Sequence, residues 1–195
     1  AFTGVQHIDR VIELDRKQPE FTLSFNEYLG RIVTPGRIEE GRRKLAENRA
    51  LLGEIEKRHG VQPRFVVALW GIETGFGKNT GGMSVVSSLA TLAYEGRRRE
   101  FFEVELINAL QIIQQQQISA NTLRGSWAGA MGQVQFMPST FTKWAVDRDG
   151  NGKIDIWNSL PDAFASAANF LRGIGFKPGL PSSDEVFLPK GEKGP

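Results

Sequence analysis

The chain has 195 residues, 40% of them hydrophobic and 24% charged, which is enough for a packed core and too apolar for global disorder. Lys+Arg 24 against Asp+Glu 22 leaves a net charge of +2, without the basic excess of a dedicated nucleic-acid binder. Cysteine is absent and histidine occurs twice, which excludes a disulfide framework, a zinc-thiolate site, a cysteine nucleophile and a histidine metal cluster.

The start, with Gln6, His7, Asp9 and Arg10 close behind Ala1, does not read as a secretory leader. Asp9, Arg10, Asp15 and Arg16 suit helical ion pairs and receive no chemistry. Thr34-Pro35 reads as an N-cap followed by proline at the first helical position, and Gly60 lies beyond the far end. Ile38, Leu45, Leu52 and Ile55 recur between them, which predicts one helix, with His59 suiting the negative end of its dipole. Pro63 opens a second, mostly apolar helix that ends at Glu73 and is closed by Gly75 and Gly77. Its apolar run, Phe65 to Ile72, is far shorter than the roughly 20 residues of a membrane span. A third helix follows Ser84 and stops at Gly96, and a fourth runs from about Arg97 to Gln117, with Gln114–Gln117 as a solvated end. Further helices begin near Pro138 and Leu160. No segment alternates with period two, so the fold class is mainly α. Gly125 to Gln135 and Asp147 to Asp155 resist a helical reading, and 177–195 reads as an irregular tail.

Glu73 carries the first candidate chemistry. A carboxylate at the end of an apolar helix, flanked by Trp70, Ile72 and Phe76, is expected to be buried, poorly solvated and raised in pKa, as a general acid requires. The alternative is a glutamate that only satisfies backbone groups. The segment Gly125–Ser139 mixes small residues with aromatics and places Ser126, Gln133 and Gln135 among them. That mix suits sugars, whose ring faces stack on aromatics while hydroxyls and acetamides bond to amides and hydroxyls. Close helix packing is the alternative.

Trp70-Gly71-Ile72-Glu73-Thr74-Gly75-Phe76-Gly77, Leu89-Ala90-Thr91-Leu92-Ala93-Tyr94, Arg97-Arg98-Arg99-Glu100-Phe101-Phe102 and the Gly125–Ser139 segment occur in that order. Together they resemble the B-type lytic murein transglycosylases over roughly residues 2 to 176. The resemblance implies a lysozyme-like α fold with a glycan cleft. It also implies non-hydrolytic cleavage of the MurNAc-β-1,4-GlcNAc bond of peptidoglycan, leaving 1,6-anhydro-MurNAc ends. Glu73 matches the family's single catalytic glutamate, acting first as acid and then as base, and the substrate acetamide replaces the second carboxylate of a retaining glycosidase. Ser126 and Gln135 match sugar contacts, and Gln133 is a further candidate. Two of Arg97, Arg98 and Arg99 match an arginine pair suited to the carboxylates of the peptide stems. Phe102 is assigned with them to the cleft, the core being the alternative for it and for Phe101. The resemblance implies a monomer in the bacterial periplasm, with any outer-membrane attachment carried by sequence outside this chain. Residues 186–195 resemble a segment that in relatives leads to a Tyr-Asn motif on the cleft, so one cleft wall is expected to be shortened. A hydrolytic muramidase and a non-catalytic, calcium-stabilised wall-binding module are the competing readings.

Asp147, Asp149, Asn151, Lys153 (through its carbonyl) and Asp155 stand at positions 1, 3, 5, 7 and 9 of an EF-hand loop, with Gly152 at position 6 and Ile154 as the anchor to the core. Position 12 departs from the pattern, since Asn158 replaces the bidentate glutamate. Members of the resembled family close a longer loop, which makes Asp162 the expected last ligand of a structural Ca2+. No organic cofactor is expected.

Overall fold

In the computed structural model, which describes residues 4–17 and 23–180, proline and glycine set most of the helix ends. From residue 181 onward the tail expected to be irregular lies outside the described residues. The first helix, α1 (Asp9–Arg16), is followed by α2 (Phe25–Ile32), which starts at a capping box. In that box the Glu27 backbone N–H donates to Ser24 and the Glu27 carboxylate accepts from the Ser24 backbone at 2.9 Å. Thr34 caps α3 (Pro35–Glu47) by accepting from the Arg37 N–H at 3.2 Å.

The single helix expected from Pro35 to Gly60 is in fact two. The chain turns at Asn48, whose φ of −107° leaves the helical region and whose side-chain amide donates to the Lys44 carbonyl at 2.9 Å. Such a local bond gives the backbone an alternative to the next helical turn. Beyond it α4 (Arg49–His59) runs to Gly60, and α5 (Pro63–Thr74) ends at Gly75. Then come β1 (Met83–Ser84), α6 (Val85–Glu95), α7 (Arg99–Gln116), β2 (Arg124–Gly125), α8 (Pro138–Trp144) and α9 (Leu160–Gly173). The antiparallel pair sets Met83 opposite Gly125 and Ser84 opposite Arg124, and two residues per strand are too few to alternate visibly in sequence.

The core lies around α6 and α9. Ala163, Phe164, Ala165, Ala167 and Ala168 of α9 are all buried, and the four small alanine side chains let α4, α5 and α8 approach it closely. Phe164 meets the Trp70 ring edge-on at 5.0 Å, which seats the C-terminal half of α5 against the centre of the molecule. On the far side, α1 lies on α6. The Ile8 N–H bonds Thr91 Oγ1 at 3.1 Å, and Arg16 pairs with Glu95 at 2.8 Å. Buried Asp15 receives the Arg97 guanidinium through Nε and Nη2.

Candidate functional site

Glu73 lies in the last turn of α5. Its side chain is exposed, which corrects the expectation of a buried carboxylate. The apolar flank accounts for the difference: Trp70 turns inward to Phe164, while Ile72 and Glu73 face outward. Protein atoms crowd the carboxyl enough that lost hydration raises its pKa above the ordinary 4.5, with no charge among the described residues contributing. No other described residue hydrogen-bonds it. The turn that follows is tightly made. Phe76 sits at a positive φ of 62°, a strained region for an aromatic residue, and its ring stacks edge-on against Trp70 at 5.6 Å.

The 124–136 segment folds back on itself beside this turn. Ser126 N–H donates to the Ala130 carbonyl at 2.7 Å, and Met131 and Phe136 exchange backbone bonds at 2.8 and 3.0 Å. Two glycines let it approach Glu73. A Cβ on Gly81 would fall 2.2 Å from the Gly125 carbonyl oxygen, and one on Gly77 would fall 2.3 Å from Gln133 Oε1. Both have φ of +83°, so each position needs a residue without a side chain twice over.

The three polar candidates of this segment do different things. Ser126 is half-buried and its Oγ accepts from the Ala130 N–H at 3.0 Å, leaving the hydroxyl hydrogen to donate elsewhere. Gln135, at a positive φ of 49°, donates through Nε2 to the carbonyls of Thr80 and Gly132, and its Oε1 has no partner among the described residues. Gln133 is committed inward. Its Oε1 accepts the Trp70 indole N–H at 2.8 Å and its Nε2 donates to the Trp157 carbonyl at 2.9 Å. Its own carbonyl accepts the Thr74 hydroxyl at 2.8 Å, and its N–H donates to the Ile156 carbonyl at 2.9 Å. With both ends of the amide engaged by the protein, Gln133 is not placed as a sugar contact.

The arginines separate in the same way. Arg97 is held by Asp15 of α1, Arg98 lies over the rings of Phe101 and Phe102 at 4.6 and 5.0 Å, and Arg99 stands 4.0 Å from Glu103. Phe102 is 1% exposed, so its place in the cleft wall is corrected to the core, while neighbouring Phe101 is exposed. Adjacent helical residues differ by about 100° in direction, so only one of the pair can face inward.

In the acidic loop, one oxygen each of Asp147, Asp149 and Asp162 lie within 4.8 Å of one another. Asp162, fully buried, holds both ends of the loop by accepting from Arg148 N–H at 2.8 Å and Asp155 N–H at 2.9 Å. Backbone N–H groups of Gly152, then Gly150 and Asn151, lower the Asp147 pKa and keep it ionised. The other candidates are used locally. Asn151 Oδ1 accepts from Lys153 N–H at 2.9 Å. Asp155 Oδ1 accepts from the N–H groups of Trp157 and Asn158, each at 2.9 Å, so its carboxylate caps a turn instead of joining the three acids. An all-oxygen cluster of three acids fits a hard divalent cation. Ile154 packs against the core as expected, and its N–H bonds Gln116 Oε1 at 3.0 Å, so Gln116 ties the loop down where a solvated helix end was expected.

One polar group escaped the sequence reading. Glu105, 3% exposed, accepts from the backbone N–H and hydroxyl of Ser139 and closes the end of the 125–139 segment. The only sequence signal was a lone acid on the inward face of α7.

Residues 1–194 match the family model described as the transglycosylase SLT domain. SltB3 from Pseudomonas aeruginosa, solved in complex with NAG-NAM-pentapeptide and separately with NAG-anhNAM-pentapeptide, is 48% identical with a TM-score of 0.90. The first of these covers 98% of this chain and 51% of that one. The Escherichia coli lytic transglycosylase Slt35, solved in complex with calcium, is 32% identical with a TM-score of 0.81, over 91% of this chain and 57% of that one. Membrane-bound lytic murein transglycosylase B of Escherichia coli (strain K12) is 35% identical over 153 residues, 78% of this chain and 42% of that one. The chain therefore spans about half the length of these relatives.

Proposed function

The chain belongs to the transglycosylase SLT domain family, with the mainly helical, lysozyme-like fold of that family, and from this we propose that it is a lytic transglycosylase acting on peptidoglycan. Glu73 is its general acid and then its general base. Protonated Glu73 donates to the glycosidic oxygen as the bond from MurNAc C1 to that oxygen breaks. The resulting carboxylate accepts the proton of the MurNAc C6 hydroxyl as O6 bonds to C1, closing the 1,6-anhydro ring. Water contributes no atom, and Glu73 ends in its starting state.

The observation that carries this reading is a carboxyl at the end of α5 raised in pKa by lost hydration, with no charged neighbour among the described residues contributing to the shift. A retaining glycosidase holds a second carboxylate about 5–5.5 Å from the first, which would add its own charge effect. The substrate acetamide takes that role here, with the Ser126 hydroxyl free to orient it. Gln135, through its open amide oxygen, and Arg98 and Arg99, through their guanidinium groups, are the proposed contacts to sugar and stem carboxylates. The complexes of SltB3 with an intact and an anhydro muropeptide, on a chain of the same fold, support the substrate class.

Asp147, Asp149 and Asp162 are the residues that would hold calcium, in keeping with the Slt35 calcium complex. When bound, the ion supplies the positive charge that three converging carboxylates lack. The site of action is the periplasm, in keeping with the murein-cleaving relatives, and no described helix is long and apolar enough to cross a membrane.

Mass spectrometry of digested murein tests the reading. Wild type is expected to release 1,6-anhydro-MurNAc products, and Glu73→Gln none. Reducing MurNAc ends from wild type would point to a muramidase instead.

A further inference from the structure

We propose that Gln133 is a positioning residue for Glu73, holding the last turn of α5 on both sides of the catalytic side chain and tying it to the chain leaving the acidic loop. The proposal rests on Glu73 being the acid–base of the reaction given above.

The bonds bracket position 73. Gln133 Oε1 takes the indole N–H of Trp70, three residues before Glu73, and the Gln133 carbonyl takes the hydroxyl of Thr74, the residue after it. Thr74 Oγ1 in turn accepts the Gly77 N–H at 2.9 Å, so the turn beyond Glu73 is closed through the same centre. The amide of Gln133 also sits against Gly77, which has no room for a side chain. From its other end Gln133 reaches Ile156 and Trp157 through its N–H and Nε2. These two residues follow Asp155, whose N–H is fastened to Asp162. One glutamine thus joins the catalytic turn, the glycan-side segment and the exit of the acidic loop. Each of its four polar groups has a protein partner, which is what a strut requires and a sugar contact does not.

A carboxyl that must give and then take a proton within one reaction tolerates little displacement, since misplacement by about 1 Å costs on the order of 100-fold in rate. Gln133→Met keeps the length of the side chain and removes both amide bonds. The expected result is a kcat reduced roughly 10–100-fold with KM within about twofold of wild type. Trp70→Phe removes the indole N–H alone and is expected to lower kcat less. Combined with Gln133→Met it should add little, because both changes break the same bond. Carboxyl titration of Glu73 by 13C NMR is a readout apart from turnover. Loosening the turn admits water, so the Glu73 pKa should fall toward the ordinary value in Gln133→Met.

A raised KM with unchanged kcat would make Gln133 a sugar contact and overturn the proposal. So would a lowered melting temperature with kcat and the Glu73 titration unmoved in still-folded protein. If Gln133→Met does not fold, Trp70→Phe alone decides by the same two readouts. If wild type releases no anhydro product, the functional reading fails, and the Glu73 titration still decides whether Gln133 holds the turn.

Discussion

The carboxylate of Glu105 accepts the backbone N–H of Ser139 at 2.8 Å and its hydroxyl at 2.6 Å, with Glu105 itself 3% exposed. Met137, at the N-cap of α8, offers no side-chain cap, so a glutamate from α7 satisfies the orphan donor at that helix start. The same bonds fix the end of the 125–139 segment that lies beside Glu73. Glu105→Leu removes both bonds and strands the Ser139 donors. It should cost about 2–3 kcal/mol, a fall in melting temperature of roughly 4–12 °C, measured by calorimetry. Ser139→Ala, which keeps the backbone donor, should cost less.

Arg97 and its two neighbours are predicted to behave differently. Arg97→Ala takes its guanidinium away from the buried Asp15 carboxylate and should lower stability in denaturant unfolding. Arg98→Ala and Arg99→Ala remove exposed charges and should change stability by less than about 1 kcal/mol. Their effect should appear as a raised KM for murein carrying stem peptides.

Calcium at millimolar concentration should raise the melting temperature. A ligand at 100 times its Kd stabilises the native state by about 2.7 kcal/mol. Asp149→Ala removes an exposed member of the acidic cluster without touching the Asp162 bonds that hold the loop. It should abolish the calcium shift while leaving the melting temperature in chelator nearly unchanged. A full calcium shift in Asp149→Ala would remove the metal assignment.

His59 should make stability depend on pH. Burial, then Arg58, Arg172 and Arg148, lower its pKa, and neither ring nitrogen has a partner among the described residues. The unfolded chain therefore binds a proton near pH 6.5 that the native state refuses. Its contribution is complete above pH 6.5 and is lost as pH falls from there toward the lowered native value. His59→Leu should flatten the melting-temperature profile below pH 6.5. This reverses the sequence expectation of a histidine favoured in charged form at a helix C-terminus, because burial, with the surrounding arginines adding to it, outweighs the dipole.

Much of this fold was legible where backbone chemistry is local. Pro63 and Gly75 mark α5, and Gly60 and Gly96 mark helix ends as expected. The break at Asn48 was not, because neither proline nor glycine marks it and its cause is one side-chain bond. Glu73 and the 125–139 segment were recognisable as a pair of motifs. The strut between them was not, since Gln133 finds Trp70 63 positions away and Trp157 24 positions away. In the acidic loop, spacing predicted five ligands and the family resemblance a sixth, Asp162, and three-dimensional packing brought three carboxylates together while turning Asp155 to a local cap. Phe101 and Phe102 could not be divided by sequence, because either fits the register of α7.

Glu73 should leave its mark on the pH–rate profile. Activity requires its protonated form first, so kcat should fall as pH rises through a pKa above the ordinary 4.5. Glu73→Gln should lower kcat by at least about 100-fold and raise the melting temperature near neutral pH, where an under-hydrated charge is removed.

Digestion of murein in water enriched in 18O tests the central claim most directly. If Glu73 returns the C6 hydroxyl to C1, every new MurNAc terminus is anhydro and carries no heavy oxygen. Reducing termini labelled with 18O, abolished by Glu73→Gln, would show that water completes the reaction and would contradict the account.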